Sequence, residues 1–251
     1  MSTDASVATE SSRKAAPLRP GKIIAVHLNF ISRAEQRGRR PAHPSYFFKP
    51  SSSVGSSGGN VERPAGTELL AYEGEVALVI GTYARRVAMA EAWNHVRAVT
   101  AANDFGLYDL RANDKGSNVR SKGRDGYTPL GPELIDARTV DPTGLRIRTW
   151  VNGALVQRDR TDRLLFSCEQ LISDLSQHFT LEPGDVILTG TPAGSSVVAR
   201  SSSGSGCRGR STGSSTSSVA TRSGLRSLLA MSISGEIAGN PSSWVSALLS
   251  L

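Results

Sequence analysis

At residue 200 the chain changes character. Seventeen of the 51 residues from 201 to 251 are serine, and the run SSSGSGCRGRSTGSSTSSVATRSG has too few apolar side chains to bury a core. Length at roughly 150 residues per domain allows one large domain or two small ones, and whatever folds must be built mainly from the first 200 residues. Nothing in that stretch is membrane-like: its longest apolar run, Val76 to Ile80, falls far short of the ~20 residues a spanning helix needs. The first twenty residues lack a hydrophobic signal core and read as a disordered tail. Cys168 and Cys207 form no CxxC motif, so the expected setting is reducing and cytoplasmic. The formal charge of +7 divides unevenly, because four arginines against Glu236 give the last 51 residues +3. Those arginines lack interleaved aromatics, which argues against a nucleic-acid partner.

The foldable part reads as many short strands with few helices. Residues 21–30 (GKIIAVHLNF) form a buried strand, followed by the Arg-rich loop SRAEQRGRRPAHP, and residues 45–50 form a second extended segment. YEGEVALVIG, residues 72–81, is strand-like. A helix is expected over residues 88–99, with Ala92, Val96 and Val99 on one face. Asn152-Gly153 between extended stretches is a type I′ hairpin signal over residues 146–156. Ser167 followed by Gln170 is a capping box opening a helix that buries Leu171, Ile172, Leu175 and Phe179. A last strand, residues 185–188, ends in Gly190-Thr191-Pro192. This pattern predicts a β-rich α+β domain and excludes a doubly wound sheet.

Chemistry concentrates on carboxylates. Glu73 and Glu75 lie two apart on a strand, so both face one side of the sheet, with Ala77 and Val79 following. Like charges so placed are unfavourable without a cation between them, although a solvated strand end is the plain alternative. Asp104, after a second apolar stretch, supplies a third carboxylate. Three carboxylates without His or Cys suit Mg²⁺ or Mn²⁺ better than Zn²⁺. Lys122, in SKGRDGYTPLGP, is either a surface lysine or a cation that holds an anionic substrate or moves a proton. Gly190-Thr191-Pro192 is either a turn or a donor of N–H groups and one hydroxyl to a carboxylate.

The ordered motifs YEGEVALVIG, AANDFGLYDLR, SKGRDGYTPLGP, TWVNGALVQ and LEPGDVILTGTPAG make residues 22–199 resemble the fumarylacetoacetate hydrolase family. The nearest likeness is to its 2-hydroxyhepta-2,4-diene-1,7-dioate isomerase and 5-carboxymethyl-2-oxo-hex-3-ene-1,7-dioate decarboxylase branch. The resemblance implies a mixed β-sandwich roll, a homodimer, and Mg²⁺ or Mn²⁺ on Glu73, Glu75 and Asp104. It places the active-site lysine at Lys122 and a substrate-contacting threonine at Thr191. Asn29 of the LNF motif, Arg111 and Arg124 complete the expected substrate contacts. Three departures stand out. Arg33 falls where family hydrolases carry a lid histidine, with Glu35 or Gln36 near the lid glutamate, so Glu35 is the candidate lid carboxylate. Tyr108 replaces an arginine four residues after the metal aspartate, and Arg111 is expected to supply the charge. The Val-rich strands that follow GTPAG in the family give way to the serine-rich run.

The expected organisation is therefore a disordered tail (1–20), an N-terminal strand and lid region (21–60), a catalytic core (61–199) and a Ser/Arg-rich tail (200–251). The sheet is expected to lack its C-terminal strands, by a reading-frame shift in the gene or a natural low-complexity extension. The expected activity is isomerisation or decarboxylation of a small anionic 2-oxo or 2-hydroxy dienoate through a metal-stabilised enolate, with the lid arginines Arg33, Arg37, Arg39 and Arg40 over the dianion. An acylpyruvate or fumarylpyruvate C–C hydrolase and a decayed, inactive member are the alternatives.

Overall fold

The computed structural model describes residues 18–198 and the backbone of two later strands, 228–234 and 244–250. In chain order the elements are β1 (Ile23–Val26), α1 (Ile31–Gln36), β2 (Tyr46–Lys49), β3 (Val54–Ser56), β4 (Leu70–Ala71), β5 (Gly74–Ile80), β6 (Val96–Asn103) and β7 (Gly106–Leu107). There follow α2 (Arg111–Asp114), α3 (Val119–Lys122), β8 (Thr128–Leu130), β9 (Ile135–Asp136), β10 (Arg146–Val151), β11 (Ala154–Arg160), α4 (Cys168–His178), β12 (Val186–Leu188), β13 (Leu228–Ser234) and β14 (Trp244–Ser250).

The larger sheet runs β2-β1-β12-β5-β6-β8-β3, with β9 also on β6. It is mixed: β1 pairs parallel with β12 and β3 with β8, while the other pairings are antiparallel. Strand β5 shows why both faces are covered. Val76, Leu78 and Ile80 enter one core with Ile147 of β10 and Leu171, Ile172 and Leu175 of α4. Ala77 and Val79 alternate into a second core with Ile23, Ala25, Val186 and Leu188. Each fully buried Leu, Ile or Val contributes about 1.5–3 kcal/mol, so this two-sided burial anchors the sheet. The result is the expected β-rich α+β architecture.

Local signals held where they were strongest. Asn152 and Gly153 take φ of 49° and 82°, the left-handed pair that a type I′ turn between β10 and β11 requires. The Ser167 hydroxyl accepts from the Gln170 N–H at 3.2 Å, capping α4. The helix expected over residues 88–99 is corrected: Met89–His95 is a 3-10 helix and the chain is extended from Val96. Pairing with β5 from Val96↔Ile80 to Asn103↔Gly74 overrides the helical spacing, and the β-branched Val96, Val99 and Thr100 suit a strand.

The smaller sheet is ordered β11-β10-β13-β14. Two of its strands come from the segment expected to contribute none: LLAMSIS pairs antiparallel along β10, and WVSALLS along LLAMSIS. Apolar stretches there meet an otherwise open strand edge, whose unmet N–H and C=O groups favour pairing. The serine-rich run of residues 201–224 and residues 1–17 lie outside the described residues, whereas Leu18 packs against the second core. Among the described residues no helix is long and apolar enough to cross a membrane.

Candidate metal and substrate site

The antiparallel register of β5 and β6 puts the start of one beside the end of the other, Gly74 opposite Asn103. Glu73 and Asp104 flank that pair, and the Asp104 N–H donates to the Glu73 carbonyl at 2.8 Å. Glu75 is one step along β5. Oxygens from the three carboxylates lie within 4.8 Å of one another, and all three residues are buried.

Two lysines reach into this cluster. Lys122, at the end of α3, donates to Glu73 Oε2 at 2.5 Å and to Asp104 Oδ2. Lys49, on β2, donates to Asp104 Oδ1 at 2.5 Å and to the Tyr127 carbonyl at 3.2 Å. Sequence reasoning missed Lys49. Its signal was the alternation in YFFK, where Lys49 shares the buried phase of Phe47. Tyr108, at the place of the family arginine, also joins the site: its hydroxyl donates to Glu73 Oε1 at 2.8 Å. The Arg111 guanidinium lies 4.6 Å from the centre of the Tyr108 ring.

Electrostatics separate the members. Burial alone would lower Lys122, but the charges of Asp104 and Glu73 outweigh it and hold Lys122 above its ordinary value. For Lys49 burial wins over Asp104, and its value falls. Burial opposes ionisation of Glu73 and Asp104 too, but Lys122, joined by Lys49 at Asp104, leaves both below the carboxylate range. Glu75 has no ammonium hydrogen bond; it accepts the Gly190 N–H at 2.7 Å. Burial, then the charge of Asp104, pushes Glu75 well above its ordinary value. Counted formally, with every group ionised, three carboxylates against two ammoniums leave one negative charge. An all-oxygen donor set with a charge deficit fits a hard divalent cation.

A cavity of about 350 Å³ opens on the cluster. Glu73, Glu75, Lys122, Thr191, Arg111 and His27 line it, together with Arg33 of α1 and Arg37 and Arg39 just after it. The Arg33 guanidinium is buried, 2.5 Å from Gln36 Oε1, 3.4 Å from the Tyr108 hydroxyl and 4.0 Å from Glu73. Glu35, Arg124 and Arg40 are exposed and do not line the cavity. Asn29 does not line it either. Its amide donates to the Phe166 and Thr189 carbonyls at 3.1 and 2.8 Å, and its oxygen accepts from the Phe166 N–H at 2.9 Å. Thr191 lines the cavity, but its hydroxyl donates to the Gly74 carbonyl at 2.9 Å and accepts from Gln157 at 2.8 Å. Gly190, at φ 94°, brings β12's end so near that an added Cβ would lie 2.9 Å from Asn29 Cβ.

Fold and site together define a buried, carboxylate-rich cluster at the strand ends of a mixed sheet, an oxygen donor set that would suit a hard cation. The family model for the fumarylacetoacetate (FAA) hydrolase C-terminal region matches residues 22–224, and the chain belongs to that family. The 4-hydroxyphenylacetate degradation bifunctional isomerase/decarboxylase of Salmonella dublin is 41% identical over 180 residues, which are 71% of this chain and 42% of that protein. The homoprotocatechuate catabolism bifunctional isomerase/decarboxylase of Escherichia coli is 38% identical over 193 residues, 75% of this chain and 45% of that protein. The matched segment thus spans less than half the length of these two relatives. Among solved structures, a 5-carboxymethyl-2-hydroxymuconate delta-isomerase from Mycobacterium smegmatis superposes with a TM-score of 0.72 at 30% identity, covering 93% of this chain and 79% of that one. A 2-hydroxyhepta-2,4-diene-1,7-dioate isomerase from Mycobacterium marinum gives 0.72 at 28% identity, covering 93% and 75%.

Proposed function

We propose that the protein is an Mg²⁺- or Mn²⁺-dependent isomerase/decarboxylase of dicarboxylic 2-oxo and 2-hydroxy dienoates from the breakdown of aromatic compounds. The observation that carries this reading is Arg33. Cleaving a C–C bond with water needs a base to activate that water. The lid group nearest Glu73 is instead a guanidinium, and the lid's Glu35 lies outside the cavity. Isomerisation and decarboxylation need stabilised negative charge and a moved proton, with no activated water.

Glu73, Glu75 and Asp104 hold the cation in this reading, and the cation supplies a Lewis acid for the substrate's oxo oxygen and neighbouring carboxylate. Lys122 braces Glu73 and Asp104 and presents positive charge to the anionic substrate. Tyr108 fixes the second oxygen of Glu73, with Arg111 stacked behind it. Thr191 serves through its place in the wall, since its hydroxyl already donates to the Gly74 carbonyl. The names of the Salmonella, Escherichia and mycobacterial relatives support this chemistry. A homodimer in the cytoplasm belongs to the same reading, on the family resemblance.

The test is ultraviolet absorbance with 2-hydroxyhepta-2,4-diene-1,7-dioate and 5-carboxymethyl-2-oxo-hex-3-ene-1,7-dioate, in Mg²⁺ or Mn²⁺ and in EDTA. Cation-dependent conversion of either is expected. Cleavage of acylpyruvates alone would assign a hydrolase, and no turnover of any of these would mark an inactive member.

A further inference from the structure

We propose that Arg37 and Arg39 form a clamp for the carboxylate at the far end of the substrate, so that this site selects acids charged at both ends. The proposal rests on the reading above for which end of the substrate meets the triad. Both side chains line the cavity, and among the described residues neither they nor Arg111 has an ion-pair partner. The other positive groups in the wall behave differently: Lys122 is ion-paired with Glu73 and Asp104, and Arg33 is tied to Gln36 and Tyr108. Unneutralised guanidiniums around one cavity repel one another and invite an anion, which they bind bidentately where geometry allows.

The backbone holds the two arginines in a fixed relation. Helix α1 ends in a Schellman closure: the Arg39 N–H donates to the Ala34 carbonyl at 3.1 Å and the Gly38 N–H to the Glu35 carbonyl at 3.0 Å. Gly38, at φ 60°, sits between the two arginines in the left-handed region that this closure needs. The turn therefore aims the residues on either side of one glycine at the same cavity. Arginines near a helix C-terminus also favour the helix dipole, but that role requires no ligand.

The experiment is isothermal titration of the Mg²⁺-supplemented protein with 2-oxopimelate and with 2-oxoheptanoate, equal in chain length and differing in the far carboxylate. The wild type is expected to bind 2-oxopimelate about tenfold more tightly, roughly what one charge-assisted contact at an exposed rim gives. In R37Q/R39Q the preference should fall below about twofold, and in G38A, which strains the closure, it should fall in the same direction. A wild type without the preference, a double variant that retains it, or a wild type that binds neither acid overturns the clamp. A preserved preference with no dienoate turnover would defeat the proposed chemistry and leave the clamp standing. Dienoate turnover without the preference would do the reverse.

Discussion

Replacing Lys122 with Met tests the electrostatics of the site directly. Met keeps most of the stem that packs against Gly106 but deletes an ammonium that is 3% exposed and bonded to two buried carboxylates. The cluster then holds three carboxylates against Lys49 alone, and its formal charge, with every group ionised, goes from −1 to −2. Removing one partner of a buried ion pair costs about 3–5 kcal/mol. We expect that loss in urea unfolding with EDTA present. The same deletion leaves a more negative oxygen cluster, so Mg²⁺ or Mn²⁺ should return stability to K122M. A cation at 100 times its Kd contributes about 2.7 kcal/mol by binding only the folded state. Unfolding curves in EDTA and in saturating Mg²⁺, for wild type and variant, measure both numbers. A variant as stable as the wild type in EDTA would show that Lys122 is not a buried counter-ion. A destabilised variant that Mg²⁺ does not rescue would refute the triad as a cation site.

Glu75→Gln keeps an acceptor for the Gly190 N–H but removes the one carboxylate without an ammonium bond, so cation-dependent turnover should disappear; unaltered turnover refutes its ligand role. Gly106→Ala places a methyl 3.1 Å from Lys122 Cγ and 3.2 Å from Cε. Because the Lys122 ammonium is held by two carboxylates, the stem has little room to yield, and kcat should fall at least tenfold with a stability loss of about 1–3 kcal/mol; kinetics like the wild type's would refute the contact. Burial, then the charge of Glu169, pushes the Cys168 thiol up to about 12. With the folded value raised, the stabilisation is complete below the ordinary thiol value of about 8.5 and is lost as pH rises toward 12. Iodoacetamide at pH 8, followed by peptide mass mapping, should label Cys168 only at the unfolding rate, and a rapid burst of labelling would count against its burial.

The pairing of Glu73 with Glu75 was legible in the sequence because a strand repeats every two residues, which sets both on one face. The hairpin and the α4 cap were legible for the same kind of reason, each resting on a few adjacent residues. Residues 88–99 misled because their helical spacing is also compatible with a strand, and only the neighbouring β5 decides between them. Lys49 stayed hidden because it lies 55 residues from Asp104 and meets it through β2, β1, β12, β5 and β6 in turn. Asn29 and Thr191 are placed differently: Thr191 lines the cavity and Asn29 does not. A motif identified them as site residues, but their polar atoms are taken up by backbone partners, Thr191 adding the Gln157 side chain.

The sequence by itself determined the local periods, the turn at Asn152-Gly153 and the donor chemistry of the three carboxylates. Those follow from residue type and spacing within a few positions. Only the tertiary structure decided that Lys122 is buried between Glu73 and Asp104, that Lys49 and Tyr108 complete the cluster, and that two strands from beyond the serine-rich run complete the smaller sheet. Each of these depends on groups distant in the chain sharing a low-dielectric space or a strand edge, where charge pairing and backbone hydrogen bonding are settled jointly.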